Sequence, residues 1–304
     1  WVELMRIVKK KPQRAKSASG KALLLSVLNN ARLELIPLNN LYPQVKFLPA
    51  GSAISVTASP AKGIDATLDL TELLLDEGHD PVPHIAARLV KSEAHFEEII
   101  SRLNGLERRE IFLIGGDSPD SSGDFTDSIQ LLSCLLNNRH QISRIGFGCY
   151  PDGHSEIGDA ALTLALKQKE DLLRCFSIAG HASTQMCFNP KKVESWLRTE
   201  RSYGFQLPVH LGIPGPVDRS KLFAMGTRLG IGNSVRFLKK NKASLRRMIA
   251  PGGYDPSELL DPLASELQTL NIAGLHIFTF NQIEATCSWL STLITDIELE
   301  ETSN

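Results

Sequence analysis

Short apolar runs rich in β-branched residues recur along the chain, each closing on Gly, Pro, Asn or Asp. Between them lie longer stretches whose apolar positions return every three or four residues. The runs predict eight strands, over residues 32–38, 53–59, 81–87, 110–117, 144–151, 181–188, 208–215 and 274–281. Helical spacing is clearest over 66–77, 92–103 and 160–173. A run such as Ile111-Phe112-Leu113-Ile114 is apolar at consecutive positions, as expected of a parallel sheet covered on both faces. Strand and helix in regular alternation predict parallel βα units, and eight of them predict an α/β protein of the (β/α)8, or TIM, barrel type in a single domain. No Gly-x-Gly-x-x-Gly follows an early strand, which argues against a doubly wound dinucleotide fold.

Length and composition agree with one large core, since 304 residues are 42% hydrophobic. The expected layout is a basic N-terminal arm and leading helix over 1–31, the barrel over 32–295 and an acidic, frayed tail over 296–304. Lys9-Lys10-Lys11, Arg14, Lys16 and Lys21 read as a solvated arm, with a targeting peptide or an oligomer contact as alternatives, and Trp1 is expected to mark a processed start. Residues 228–254, with Gly230, Gly232, Gly252 and Gly253, are read as helices around the seventh βα connection. A net charge of −1 gives no reason to expect nucleic acid or an anionic membrane as partner. Small molecules are the expected partners, and a homo-oligomer through the outer helices stays open. Apolar stretches such as 22–28 and 272–280 fall short of the roughly 20 residues needed to cross a bilayer. Cys134, Cys149, Cys175, Cys187 and Cys287 are odd in number and widely spaced, with no Cys-x-x-Cys, so neither a disulfide framework nor a zinc site is expected and the reducing cytoplasm is the default compartment.

A parallel barrel presents its reactive face at the C-terminal ends of its strands. Core strands ordinarily end there in Val, Ile or Leu; this chain has Glu34, Thr57, His84, Asp117, Tyr150 with His154, Gln185 and Asn281. Such convergence predicts a polar site on that rim.

Seven stretches, in order along the chain, resemble motifs of the methylenetetrahydrofolate reductase family. Leu33-Glu34-Leu35-Ile36-Pro37 resembles the family's Phe-Glu-Phe-Phe-Pro, Ser55-Val56-Thr57 its second-strand motif, and Pro83-His84-Ile85 its Pro-His-Leu. Gly115-Gly116-Asp117-Ser118-Pro119 is similar to Arg-Gly-Asp-x-Pro, and Tyr150-Pro151-Asp152-Gly153-His154-Ser155-Glu156 to Tyr-Pro-Glu-Gly-His-Pro-Glu. Thr184-Gln185-Met186-Cys187-Phe188 is similar to Thr-Gln-x-x-Phe, and Gly212-Ile213-Pro214-Gly215-Pro216-Val217 to the Pro-Gly-Ile-x-Pro turn. The resemblance spans about residues 32 to 290 and implies the compact bacterial form without a regulatory domain.

The resemblance implies reduction of 5,10-methylenetetrahydrofolate to 5-methyltetrahydrofolate, with NADH or NADPH as hydride donor and FAD as carrier. It makes Glu34 the general acid that assists opening of the imidazolidine ring, and an apolar neighbourhood favours the protonated form such a role needs. Asp117, beside flavin and pterin, supplies a charge to both, and Gln185 reads the pterin edge; Phe223 (or Leu222) and Asn281 complete the substrate contacts. Thr57, His84, Gly115, Gly116, Asp117, Tyr150, His154 and Lys169 match positions that hold the flavin. Each residue also has a plainer reading. Glu34 could pair with Arg32 or another base, Asp117 could cap a helix or close a turn, Gln185 could tie two strands, the histidines could be structural, and Lys169 could be a surface lysine.

Gly115 stands where the family commonly has arginine, and the segment between Lys169 and Gln185 is longer than usual. Pro60-Ala61-Lys62-Gly63 also departs from the pattern and offers Lys62 as another source of positive charge. Two rivals remain open: the same barrel working in the oxidative direction or without flavin, and a non-catalytic folate- or flavin-binding subunit.

Overall fold

The structure, a computed structural model, describes residues 18–216 and 257–302. Eight parallel strands close into a barrel in sequence order, so the expected (β/α)8 architecture holds. The strands are β1 (Ala31–Leu35), β2 (Ala53–Val56), β3 (Asp80–Ala86), β4 (Glu110–Ile114), β5 (Arg144–Cys149), β6 (Ala179–Thr184), β7 (Val209–Pro214) and β8 (Ile272–Phe278). The described helices are α1 (Ala18–Asn29), α2 (Gly63–Asp76), α3 (Glu93–Gly105), α4 (Ser128–Asn137), α5 (Asp159–Cys175), α6 (Pro190–Ser202), α7 (Ser257–Leu263) and α8 (Ile283–Thr302). The expected basic arm before Ala18, Val217, and the whole of 228–254 lie outside the described residues.

All eight strands stop short of the C-terminal bounds their apolar patterns predicted. Apolarity reports burial, and residues such as Cys187 and Phe188 stay in the core after the backbone has left the ladder. At the other end of the chain the correction is opposite: α8 runs through Asp296 to Thr302 with Ile297 buried, so the tail expected to fray there is helical. Several helices start where a side chain takes up a free backbone N–H. Ser92 accepts from His95, and Asp127 accepts from Ile129 and Gln130.

Alternation along each strand divides the core in two. Leu33, Leu35, Ile54, Val56, Ile213, Leu275 and Ile277 pack outward in one cluster against helices, and Ile85, Ile111, Leu113, Ile145 and Phe147 in another. The intervening residues face the barrel axis. Strand tilt groups them into layers of four contributed by alternate strands. The pairings Glu34↔Ser55, Ser55↔Val82, His84↔Phe112, Gly146↔His181, His210↔Gly274 and Arg32↔His276 set these layers. Arg32, Val82, Gly146 and His210 form a lower layer; Ser55, Phe112, Ser183 and His276 lie above it. Next come Glu34, His84, Gly148 and Gly212, and then, at the mouth, Thr57, Ile114, Gln185 and Phe278.

This interior is far more polar than the usual Val, Ile and Leu filling of such barrels. Near the bottom the part-buried Arg32 bonds the Glu110 carboxylate at 3.3 Å and the Ile54 carbonyl at 3.3 Å, and Arg144 approaches the same carboxylate to 3.9 Å. His84 stacks on Phe112 with ring centres 4.5 Å apart, and His181 lies 5.1 Å from His210. Gly146 is bare because a β-carbon there would lie 2.6 Å from the His181 ring and closer still to Phe112.

Burial holds His84, His181 and His210 below the ordinary histidine range, with nearby histidines and Arg32 adding to the effect; His210 falls to about 4. The 3.8 Å approach of His181 to Glu110 is therefore not an ion pair at neutral pH, since the ring is uncharged. As pH falls below about 6.5, the unfolded chain takes up protons on these residues while the folded barrel does not, so stability is lost with acid. Melting temperature is expected to drop from pH 7 toward pH 4, and His210→Gln should flatten that decline. An unchanged slope in the variant, read by thermal unfolding across the range, would show that His210 is charged or solvated in the fold.

Candidate active site

Glu34 sits on β1 with its side chain toward the axis, and the flanking Leu33 and Leu35 face the helices instead. The apolar neighbourhood expected from the sequence is thus on the far side of the strand. Its partner is neither Arg32 nor bulk water: Glu34 Oε2 lies 2.8 Å from His276 Nε2, reached across the β1–β8 closure. Thr279 Oγ1 donates to the Glu34 carbonyl at 2.6 Å. Asn281 then accepts from the Ile36 N–H and donates to the Ile36 carbonyl, both at 2.9 Å. Phe280 and Asn281 both adopt left-handed backbone, a conformation Asn tolerates and Phe does not favour, and the Asn281 bonds hold the turn in place. Asn281, expected to contact substrate, is 2% exposed, and its amide is engaged by β1's exit loop.

Around the mouth the other strand ends bring together most of the expected residues. Thr57 follows β2, with its backbone N–H bonded to the Leu35 carbonyl. Gly115 and Gly116 follow β4; a β-carbon at Gly115 would meet nothing within 4 Å, while Gly116 has φ +95° and lies against Ala86. Asp117 is exposed, and the helix that follows is capped by Asp127, so Asp117 does not serve as that cap. The segment carrying Asp117 is pinned by Arg88, whose guanidinium donates to the carbonyls of Ser118 at 2.9 Å and Thr126 at 3.2 Å.

Tyr150 lies T-shaped to His154 with ring centres 5.1 Å apart, and its hydroxyl reaches down over Gly148. Burial, with the acids Cys149 and Asp117 nearby, pushes its phenol up to about 12, so it is a neutral hydrogen-bonding group at physiological pH. Gln185 accepts from the adjacent Met186 N–H at 2.8 Å through Oε1; it binds its own chain rather than tying two strands. His84 departs from the expected rim position. It is 4% exposed and packed one layer beneath the mouth, with Nε2 unpartnered.

Lys169 on α5 points toward the barrel wall, with Nζ 5.2 Å from the centre of the Phe147 ring. Burial draws its ammonium down to about 8, and Asp127 opposes that shift from beyond ion-pair distance. Lys169 is thus a cation beside an aromatic ring on the helix-facing side of β5, with no carboxylate in ion-pair reach among the described residues, a charge that suits a phosphate-bearing ligand. FAD fits these residues in chemistry; His84 does not fit as a direct contact. Lys62, the other proposed source of charge, is exposed at the start of α2. Phe223 and Leu222 fall outside the described residues. No group of His, Cys, Asp and Glu among the described residues is arranged to hold a metal ion, and no helix among them is long and apolar enough to cross a membrane.

Two residues escaped the sequence reading, His276 and Thr279. A signal existed in Gly274-Leu275-His276-Ile277-Phe278, where a polar residue alternates with aliphatic ones, but only barrel closure tells what it meets.

The chain is thus a (β/α)8 barrel with a polar axis and a carboxyl group facing its C-terminal mouth. No family model matches it. Among solved structures it is similar to an uncharacterised protein from Clostridium thermocellum that binds two copies of 5-methyl-5,6,7,8-tetrahydrofolic acid, with TM-score 0.61 and 12% identity over 90% of this chain and 99% of that one. It is also similar to tryptophan synthase from M. tuberculosis, with TM-score 0.46 and 10% identity over 91% of this chain and 98% of that one. The first likeness establishes the fold and the second is too distant to add to it.

The Lys169 environment yields a stability test. Between pH 8 and 10.5 the unfolded lysine keeps a proton that the folded one releases, so stability rises with pH in that window and the burden of the buried charge is greatest below it. Lys169→Met should therefore melt higher than the parent at pH 7, with the gap closing toward pH 10.5. A lower melting temperature for the variant at pH 7 in the absence of ligand would mean that the ammonium is paired.

Proposed function

We propose that the protein reduces 5,10-methylenetetrahydrofolate to 5-methyltetrahydrofolate at the barrel mouth, with FAD bound and NADH or NADPH as the source of hydride. The observation that carries this reading is Glu34, an axis-facing carboxyl group held by one oxygen in a layer whose other members are His84 and two glycines. The folate-binding neighbour of the same fold supports the substrate class.

In this reading Glu34 donates a proton to a ring nitrogen of the imidazolidine, the ring opens to an iminium ion, and a hydride added to the methylene carbon gives the methyl group. Lys169, Tyr150, His154, Thr57, Gly115 and Gly116 are the residues that would hold FAD, which would supply hydride transfer between the nicotinamide and the folate. Asp117 and the free amide nitrogen of Gln185 bind the pterin edge. Both substrates use one pocket in turn, so the kinetics are ping-pong.

A second reading, direct transfer between nicotinamide and folate without flavin, in either direction, is favoured by one observation. Gly115 has no side chain, and the nearby Arg88 guanidinium is engaged by loop carbonyls. Reconstitution with FAD followed by gel filtration separates the two. Co-elution of FAD, with faster NAD(P)H-dependent folate reduction, is expected; absence of both leaves the direct reading.

Glu34→Gln should leave nicotinamide oxidation nearly intact and slow the folate half-reaction by about 10²–10⁴, the usual loss on removing a general acid. Stopped-flow measurement of each half-reaction checks it, and equal effects on both would make Glu34 structural. Asp117→Asn is expected to weaken folate binding while altering stability by no more than about 1 kcal/mol, as is usual for an exposed site. Isothermal titration with 5-methyltetrahydrofolate and thermal melts read the two quantities, and a destabilised variant with unchanged folate affinity would contradict the assignment.

A further inference from the structure

We infer that His276 is the positioning residue for Glu34, a neutral imidazole whose Nε2–H holds one carboxyl oxygen so that the other presents the acidic proton to the mouth. The inference rests on the reductive reading above and adds a residue to it.

The geometry is specific. His276 Nε2 lies 2.8 Å from Glu34 Oε2, and the two side chains are 3% and 13% exposed. His276 Nδ1 is buried and has no partner among the described residues. A buried N–H without an acceptor is rarer and more costly than an acceptor left bare, so the proton belongs on Nε2 and the lone pair on Nδ1. Nε2–H then donates to Oε2, which acts as the carbonyl oxygen of the acid. The acidic proton is left to Oε1, which makes no hydrogen bond among the described residues.

Ring packing keeps the imidazole from turning away: Phe278 lies edge-on with centres 5.0 Å apart, and Phe112 lies 6.2 Å from it in the same layer. On the strand side, Arg32 is the register partner of His276, but its guanidinium is directed to Glu110 and Ile54 rather than to Glu34. His276 is thus the one side-chain partner of the Glu34 carboxyl group among the described residues.

The consequence lies in the transition state. When the Oε1 proton moves to the folate nitrogen, Glu34 becomes a carboxylate, and the Nε2–H···Oε2 bond changes from neutral to charge-assisted. Such bonds are about twice as strong, so the imidazole favours the proton-transferred state over the resting one. No proton passes through His276, which begins and ends the step with Nε2–H.

Two variants and one spectrum test this. In ¹⁵N-labelled histidine spectra of the protein, the signal that disappears in His276→Gln should be that of a neutral ring with protonated Nε2 and bare Nδ1. His276→Leu removes the donor and should slow the folate half-reaction at saturating folate by about 10- to 100-fold, leaving folate affinity and nicotinamide oxidation within about 2-fold. His276→Gln keeps an N–H donor and should recover most of that loss. A protonated Nδ1 or an imidazolium at His276 overturns the inference, as does equal slowing by Gln and Leu, or no slowing by Leu when Glu34→Gln is slow. If Glu34→Gln itself leaves the folate step unchanged, the reductive reading fails, and the spectrum still decides whether the pairing exists.

Discussion

Closure of β8 onto β1 is the constraint on which the rest of the structure depends. Opposed pairs from Ala31↔Leu275 to Glu34↔Phe278 join residues from the two ends of the described chain. Without that ladder Glu34 has no partner, since His276 lies 242 positions away in sequence. Thr279 and Asn281 extend the seam above the last ladder pair, tying the exit of β8 to the backbone of β1. Closure and the Glu34–His276 pairing are therefore one event, and damage to the seam reaches Glu34 directly.

A polar barrel axis carries an energetic burden that neutral groups lighten. Arg32 and Glu110 form a part-buried pair near the bottom, with Arg144 3.9 Å from the same carboxylate, and pairs withdrawn from water are weak sources of net stability. His84, His181 and His210 avoid a larger penalty by staying uncharged. Glycine at 146 lets the bulky rings of Phe112 and His181 share the axis, whereas Gly148 leaves room into which the Tyr150 hydroxyl descends. At the level of Glu34 the layer holds one ring, His84, and two glycines, with the Tyr150 hydroxyl over one of them.

At the mouth, backbone demands compete with ligand binding for the same side chains. Asn281 and Oε1 of Gln185 answer local N–H groups, and Arg88 is divided between two loop carbonyls. Asp117, Tyr150 and Lys169 are not engaged in that way among the described residues.

Hydrophobic periodicity by itself determined the number and order of the strands and the eightfold architecture, because burial on alternate or successive positions is a local property of the chain. Glu34, Tyr150 and Lys169 were also legible, as polar or basic residues within apolar or helical patterns and matched motifs. Strand ends were not, since Ile36 and Phe188 remain apolar after leaving the ladder. Nor was the destination of each polar side chain. Whether Asn281 faces a ligand or Ile36, whether His84 reaches the rim or stacks on Phe112, and whether Glu34 meets Arg32 or His276 were decided by strand tilt and closure. These set the height of each residue along the axis and the neighbour brought to it from a distant strand, and neither quantity is encoded in any short stretch of sequence.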